Sequence, residues 1–323
     1  MTSVAALRLA RTLWRWTPLG IFAVLLVTFG SRSPRFLTFA NLSAVLVQSS
    51  WLVVVALGMN FALLGAGVDL SVGAVMYLAA VTVGLALAKQ PVWICLMASL
   101  AVGASCGAIN GFLILRLGIL PFIVTLATTF VGRGVALFLS STKIVYANAA
   151  VAHLGGARVL AIPALLWLSG GATAIAWVIL NRTPLGPYVR SIGSDAEAAR
   201  RAGVPTVTVW SVYTLCGVFA GLGGFVSLSQ TAAASGSFGQ GSEFLAIAAA
   251  VLGGTSLFGG RGHVWAPVIG AILIMTVQNG LVMINANPYA YPVITGTVIF
   301  IAALLDAIRS RLQTRWERRA VWV

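Results

Sequence analysis

The chain has 323 residues, 59% of them hydrophobic and only 8% charged, and a net charge of +14. No soluble domain of this length has that balance, because apolar runs of about 20 residues recur from end to end. The basic residues sit between those runs rather than on one folded face, which excludes a nucleic-acid surface and points to membrane topology. A membrane β-barrel is excluded too, since it would show alternating strands of about ten residues.

The expected fold is all-α: a polytopic membrane helical bundle of about ten transmembrane helices, with residues 1–323 as a single transmembrane domain. Arg8, Arg11 and Arg15 precede the apolar stretch from Thr17 to Gly30. No small-residue cleavage site follows, so it reads as a retained first span rather than a signal peptide. Further spans are expected at 44–64, 70–88, 92–115, 119–140, 160–181, 206–229, 244–258, 263–285 and 291–308. With both termini cytoplasmic, the inside segments hold Arg8, Arg11, Arg15, Arg116, Arg182, Arg190, Arg200, Arg201, Arg261, Arg309, Arg311, Arg315, Arg318 and Arg319. The outside segments hold Arg32, Arg35, Lys89, Lys143 and Arg158, so the asymmetry favours that orientation.

Between the second and third runs lies Gly65-Ala66-Gly67-Val68-Asp69-Leu70-Ser71-Val72-Gly73. Glycines beside a lone acid mark a helix break with freed backbone groups. Next, Gly103, Gly107 and Gly111 share a helix face, as do Gly217 and Gly221, allowing close approach between spans. Arg133 stands toward the outer end of its span; it is a functional candidate there, or an anchor that snorkels to the interface.

The polar run Gly193 to Pro205 carries its own punctuation. Ser194 and Glu197 have the spacing of a capping box. Asp195 and Glu197 suit the helix N-terminus, Arg200 and Arg201 its C-terminus. Gly203 and Pro205 then end a helix of about two turns, too short to stand alone in water. Ala198, Ala199 and Ala202 give it a flat face, which implies docking; the plainer reading is a solvated loop helix.

Gly241-Ser242-Glu243-Phe244-Leu245-Ala246 repeats the theme of an acid before an apolar span, and Pro121-Phe122-Ile123-Val124-Thr125 is weakly echoed by Pro292-Val293-Ile294-Thr295. In the charge-based topology Asp69 starts its span from inside and Glu243 from outside. That is the pattern of an inverted repeat around a midplane site. The candidate substrate pathway is therefore Asp69, Ser71, Gly73, Asn110, Arg133, Glu243 and Ala246, the alternative being that both acids only cap helices.

Other chemistry is not visible. Lysine occurs only at Lys89 and Lys143, neither in a Gly-Lys-Ser/Thr phosphate loop. His153 and His263 are far apart and lack nearby carboxylates or cysteines, and Cys95, Cys106 and Cys216 lie inside apolar runs. Neither a metal or catalytic set nor a disulfide framework is expected.

Taken together these stretches resemble the permease subunit of ribose-type bacterial ABC importers for sugars and related polyols. The resemblance covers nearly the whole chain. It rests on Val68-Asp69-Leu70-Ser71-Val72-Gly73, Asn110-Gly111, Pro121 to Leu126, Arg133-Gly134, Ile192-Gly193, Ala198-Ala199, Gly203, and the run from Ala246 through Gly253-Gly254-Thr255-Ser256-Leu257 to Gly259-Gly260. It implies a bacterial inner-membrane protein that pairs with a second permease copy or a homologous permease. It also implies a cytoplasmic ABC ATPase, which holds the ATP and Mg, and an extracytoplasmic solute-binding protein. This chain itself is then expected to bind no cofactor and catalyse no reaction. The stretch Gly193, Ser194, Asp195, Glu197, Ala198, Ala199, Ala202 and Gly203, within a cytoplasmic loop over about 182–205, would be the coupling helix. The sequence departs from the family at Ala66, often glycine, at Asp195, often Asn, and at Leu245, often an acid. Two rivals are a branched-chain amino-acid type of permease and a self-sufficient secondary transporter or channel using Asp69 or Glu243.

Overall fold

A computed structural model describes residues 17–297, 300, 301 and 304. The basic terminal segments around Arg8–Arg15 and Arg309–Arg319, and most of the expected last span beyond 297, lie outside the described residues. The chain divides into two compact units, residues 1–46 with 272–323, and residues 47–271.

The helices are α1 (Thr17–Arg32), α2 (Phe39–Leu64), α3 (Val72–Ala86), α4 (Val92–Leu117), α5 (Pro121–Ser140), α6 (Ala149–Gly156), α7 (Ala164–Arg182), α8 (Leu185–Ser194), α9 (Ala196–Arg201), α10 (Val207–Thr231), α11 (Ser242–Leu252) and α12 (Trp265–Met283). Two short antiparallel pairs join loops: β1 (Val145–Tyr146) with β4 (Ala233–Ala234), and β2 (Arg158–Val159) with β3 (Ile162–Pro163). The protein is a multi-pass helical membrane protein. Among the described residues, six helices are long and apolar enough to cross a bilayer: α2, α4, α5, α7, α10 and α12. The apolar part of α1, α3 and α11 are shorter. The expected count of about ten transmembrane helices is thus not confirmed by the described residues. In particular, the run expected as 244–258 stops being helical at Leu252. There Gly253 presses its backbone on Ala266, leaving no room for a side chain, and Gly254 turns with φ 107°.

In the smaller unit, Phe29, Phe36, Val277 and Leu281 form an apolar core. Beside it the buried Asn41 and Asn279 exchange side-chain hydrogen bonds at 2.9 and 3.1 Å, and Asn41 also donates to the Phe36 carbonyl. Two amides satisfied this way are tolerable in an apolar interior where lone ones are not.

The larger unit is built around α3, which is apolar on every side and buried along nearly its whole length. Its C-terminal half packs Tyr77, Ala80, Val81 and Val83 with Cys95, Ala136, Val151, Phe225 and Leu228. Against it, α4 and α10 approach backbone to backbone. A Cβ on Gly103 would overlap the Gly217 carbonyl, one on Gly107 the Tyr213 carbonyl, and one on Gly221 the Ser99 carbonyl. The two small-residue faces read from the sequence thus pack on each other.

Contacts sort the ends of these helices into two groups. The Leu64 carbonyl accepts from Gly260, and Gly193 abuts both, so the ends of α2 and α8 and the loop after α11 share one end. At the other, Asn148 donates to the Leu87 and Gln90 carbonyls, and β1 pairs with β4. Arg116, Arg182, Arg190, Arg200, Arg201 and Arg261 belong to the first end by chain order. Lys89, Lys143 and Arg158 belong to the second. The charge-based alternation of ends is preserved in this unit.

Candidate functional site

Two short helices begin at the same place and run in opposite directions. A Cβ on Gly73, in the first turn of α3, would overlap the Gly239 carbonyl and lie 2.6 Å from Glu243 Oε2 in the first turn of α11. From this meeting point α3 runs to the Asn148 end, whereas α11 runs to the Leu64 end. There Thr255 donates to the buried Asn60. Half-helices whose N-termini converge direct the positive ends of their dipoles at one spot. Their acids answer that field: Glu243 on α11, and Asp69, which accepts from the Ser71 amide just before α3.

Asp69 is completely buried. Its Oδ1 takes hydrogen bonds from the Ser71 amide and hydroxyl, at 2.9 and 2.5 Å. Ser71 in turn accepts from Asn110 Nδ2 at 3.0 Å, and Asn110 Oδ1 accepts from Thr128. One polar chain thus ties the break before α3 to α4 and α5. Asp69 Oδ2 is the one buried side-chain polar atom among the described residues without a hydrogen-bond partner. A network left one partner short in low dielectric is a costly arrangement, which marks the break as more than a loop.

Glu243 differs, being only partly buried. Arg133, also part-exposed, reaches from α5 to the loop before α11, donating to the Gly236 carbonyl at 2.8 Å and the Phe238 carbonyl at 3.4 Å. Its guanidinium lies 5.7 Å from the centroid of the Tyr77 ring. Arg133 therefore clasps a loop rather than snorkelling free. Ala246 is buried one turn further along α11. The structure brings Asp69, Ser71 and Asn110 into one hydrogen-bonded network; Gly73 meets Glu243 close by, and Arg133 clasps the loop before α11.

Sequence reasoning missed the hydroxyls of α5 and the role of Tyr77. Thr125 and Thr129 lie one turn apart. The Thr129 hydroxyl can donate to the Leu70 carbonyl at 2.9 Å or to the Thr125 carbonyl at 2.8 Å, while Thr125 bonds the Pro121 carbonyl at 2.9 Å with Val68 further off at 3.4 Å. Their i, i+4 spacing beside Thr128 in an apolar span was the available signal.

The polar run at 193–205 folds differently from its expected start. α8 continues through Ser194, whose hydroxyl donates back to the Arg190 carbonyl at 2.9 Å. The capping box therefore does not form. The cap is Asp195, extended at φ −162°, whose carboxylate accepts from the Ala198 amide at 2.9 Å. Glu197 instead pairs with Arg200 and Arg201, which hold its carboxyl below the ordinary value. The stop is as expected. Gly203 has φ +81°, its amide bonds the Arg200 carbonyl, and the Val204 amide bonds the Ala199 carbonyl, a Schellman motif. Of the three alanines, Ala199 is buried against the protein, while Ala198 and Ala202 face outward.

Comparison with known proteins gives a consistent result. The family described as a branched-chain amino acid transport system permease component matches residues 41–303. The D-allose transport system permease protein AlsC of Escherichia coli K12 is 37% identical over 304 residues, spanning 92% of this chain and 93% of its own. The ribose import permease protein RbsC of the same strain is 33% identical over 290 residues, spanning 88% and 90%. The L-arabinose transport system permease protein AraH, again from that strain, is 34% identical over 294 residues, spanning 90% of each. No solved structure matches the chain.

Proposed function

The chain belongs to the permease-component family of branched-chain amino acid transport systems, and from that premise we propose that it is the membrane permease of an ATP-driven importer for a sugar or polyol-like solute. The observation that carries the solute class is end-to-end similarity to permeases named for D-allose, ribose and L-arabinose. The converging half-helices suit such a cargo. A neutral polyhydroxyl solute is held by fixed dipoles and a few polar side chains, and two converging helix N-termini beside Glu243 and Arg133 supply both.

In this reading the protein lies in the bacterial inner membrane with the Leu64 end and both termini in the cytoplasm, as the arginines at that end favour. The solute passes where α3 meets α11, beside Glu243, Arg133 and Gly73. Asp69, Ser71 and Asn110 hold the break in shape from behind, and buried Ala246 backs the start of α11. The helix α9, with its cap at Asp195, its arginine-paired Glu197 and its stop at Gly203, presents Ala198 and Ala202 to a cytoplasmic ATPase. Gly193, Ser194 and the buried Ala199 seat it on the membrane part. The chain moves its solute without transforming it. ATP and Mg bind the ATPase, an extracytoplasmic binding protein delivers the solute, and a second permease copy or a homologue completes the pore.

The test is uptake by proteoliposomes holding this protein with the ATPase and binding protein encoded beside it. ATP-dependent uptake of at least one sugar or polyol from a panel including D-allose, ribose and L-arabinose is expected, with no uptake of leucine. Leucine transport without sugar transport would favour the amino-acid rival. Uptake by the permease alone, driven by an ion gradient, would favour the secondary transporter.

A further inference from the structure

We infer that the movement delivered to α9 enters the membrane through one backbone junction, formed by Leu64, Gly193 and Gly259–Gly260. The inference rests on the importer reading above. A Cβ on Gly193 would overlap the Leu64 carbonyl and come within 2.7 Å of the Gly260 nitrogen. That nitrogen already donates to the Leu64 carbonyl at 2.9 Å. Gly259 is as crowded: a Cβ there would lie 2.6 Å from the Gly193 oxygen and 2.7 Å from Ala66 Cβ. Three segments distant in sequence therefore meet with no side chain of the three glycines between them.

What each segment leads to gives the junction its role. Gly193 and Ser194 end α8 and pass directly into the cap of α9. Leu64 ends α2, immediately before the turn that carries Asp69 into α3. Gly259 and Gly260 follow α11 and precede α12. One contact thus touches the connections of both half-helices that flank the solute path. Side chains can change rotamer and absorb a push, whereas backbone pressed on backbone passes it on, because a packed interior yields very little. The push also has somewhere to go. A cavity of about 190 Å³ adjoins the junction, bordered by Gly65, Ala66, Gly67, Val189, Ile192 and Tyr213. The turn on its wall holds Ala66 at φ +57°, a left-handed conformation that a non-glycine residue adopts at a cost. A strained turn beside an open space is where an imposed shift is most easily taken up.

The direct experiment is a cross-link across the junction. Ser194→Cys with Gly260→Cys, in a background lacking Cys95, Cys106 and Cys216, places one thiol on each side. A Cβ on Gly260 is 3.2 Å from Ser194 Cβ, near the roughly 3.5–4.5 Å span of a disulfide. In proteoliposomes with the ATPase and binding protein, sugar uptake by the reduced complex is the reference, set below wild type by the atoms added at the junction. Oxidation should lower uptake by about tenfold or more, inside the roughly 5–150-fold range of allosteric couplings. The ATPase should stay bound, and dithiothreitol should restore transport. A fully oxidised complex that transports at the reduced rate overturns the inference.

A second variant covers the case in which the strained cysteine at 260 impairs folding. Ser194→Gly, which removes atoms from the junction and loosens the joint between α8 and α9, should keep the ATPase bound while ATP hydrolysed per solute rises at least about fivefold. An unchanged ratio overturns the inference. If instead the wild-type complex takes up no sugar, the importer reading itself has failed.

Discussion

Gly217→Leu is expected to abolish the folded permease, while Gly170→Leu leaves it intact. Gly217 has the Gly103 carbonyl and the Gly107 backbone where its side chain would go, so four new carbons must push α4 and α10 apart. Overfilling a packed site costs about 1–3 kcal/mol when side chains can adjust. Here the neighbours are backbone atoms of a helix, which cannot rotate away, so the cost should reach or exceed the top of that range. Separating the helices also breaks the contacts at Gly103, Gly107 and Gly221, since all lie on the same two faces. Gly170, on α7, has no atom within 4 Å of an added Cβ. The same substitution there should help slightly, since glycine costs a helix about 1 kcal/mol relative to alanine. Monodisperse protein recovered in mild detergent is the readout. Equal recovery of the two variants would mean the close approach of α4 and α10 contributes little.

Ala198→Trp is expected to leave the isolated permease unchanged and to weaken its complex with the ATPase by about tenfold or more, a loss of roughly 1.4 kcal/mol. Ala198 is exposed, so indole meets nothing within the chain. The helix itself should lose only about 0.5 kcal/mol of intrinsic propensity. Any large effect must then arise where a partner closes on that face. Arg200→Ala removes an exposed pair with Glu197, which is worth little, and should be mild. Gly203→Val should resemble the tryptophan variant by another route. Valine at φ +81° is strained by about 1–2 kcal/mol, enough to loosen the Schellman stop. Co-purification with the ATPase measures all three. Full binding by Ala198→Trp would remove α9 from the contact.

How much of this was legible in the sequence depends on the range of the interaction. Helix positions followed from apolar runs: the expected 92–115 and 206–229 became Val92–Leu117 and Val207–Thr231. The facing glycines of α4 and α10 were also readable, because close packing leaves a periodic trace in each helix separately. Gly203 was readable for a local reason, as one residue's φ decides the stop. The capping box failed on an equally local competition, since nothing in Ser194-Asp195 says which side chain the chain will straighten at. The clasp of Arg133 on Gly236 and Phe238 left no such trace, because its partners are backbone carbonyls about a hundred residues away. The meeting of Gly73 with Gly239 and Glu243 was anticipated only as a symmetry of motifs, and the contact itself required the fold.

That convergence is the centre of the account, and paired isosteric changes at its two acids test it most directly. Asp69 is buried and Glu243 only partly so, and the proposed path puts Glu243 rather than Asp69 beside the solute. Asp69→Asn keeps an oxygen for the Ser71 donors and should transport within about twofold of wild type, a change of under 1 kcal/mol. Glu243→Gln replaces the carboxyl that meets the start of α3 with an amide of nearly the same volume. Sugar uptake by the assembled complex should then fall by about tenfold or more, with ATPase binding unchanged. Wild-type uptake by Glu243→Gln, with Asp69→Asn the impaired variant, would contradict a solute path where α3 meets α11.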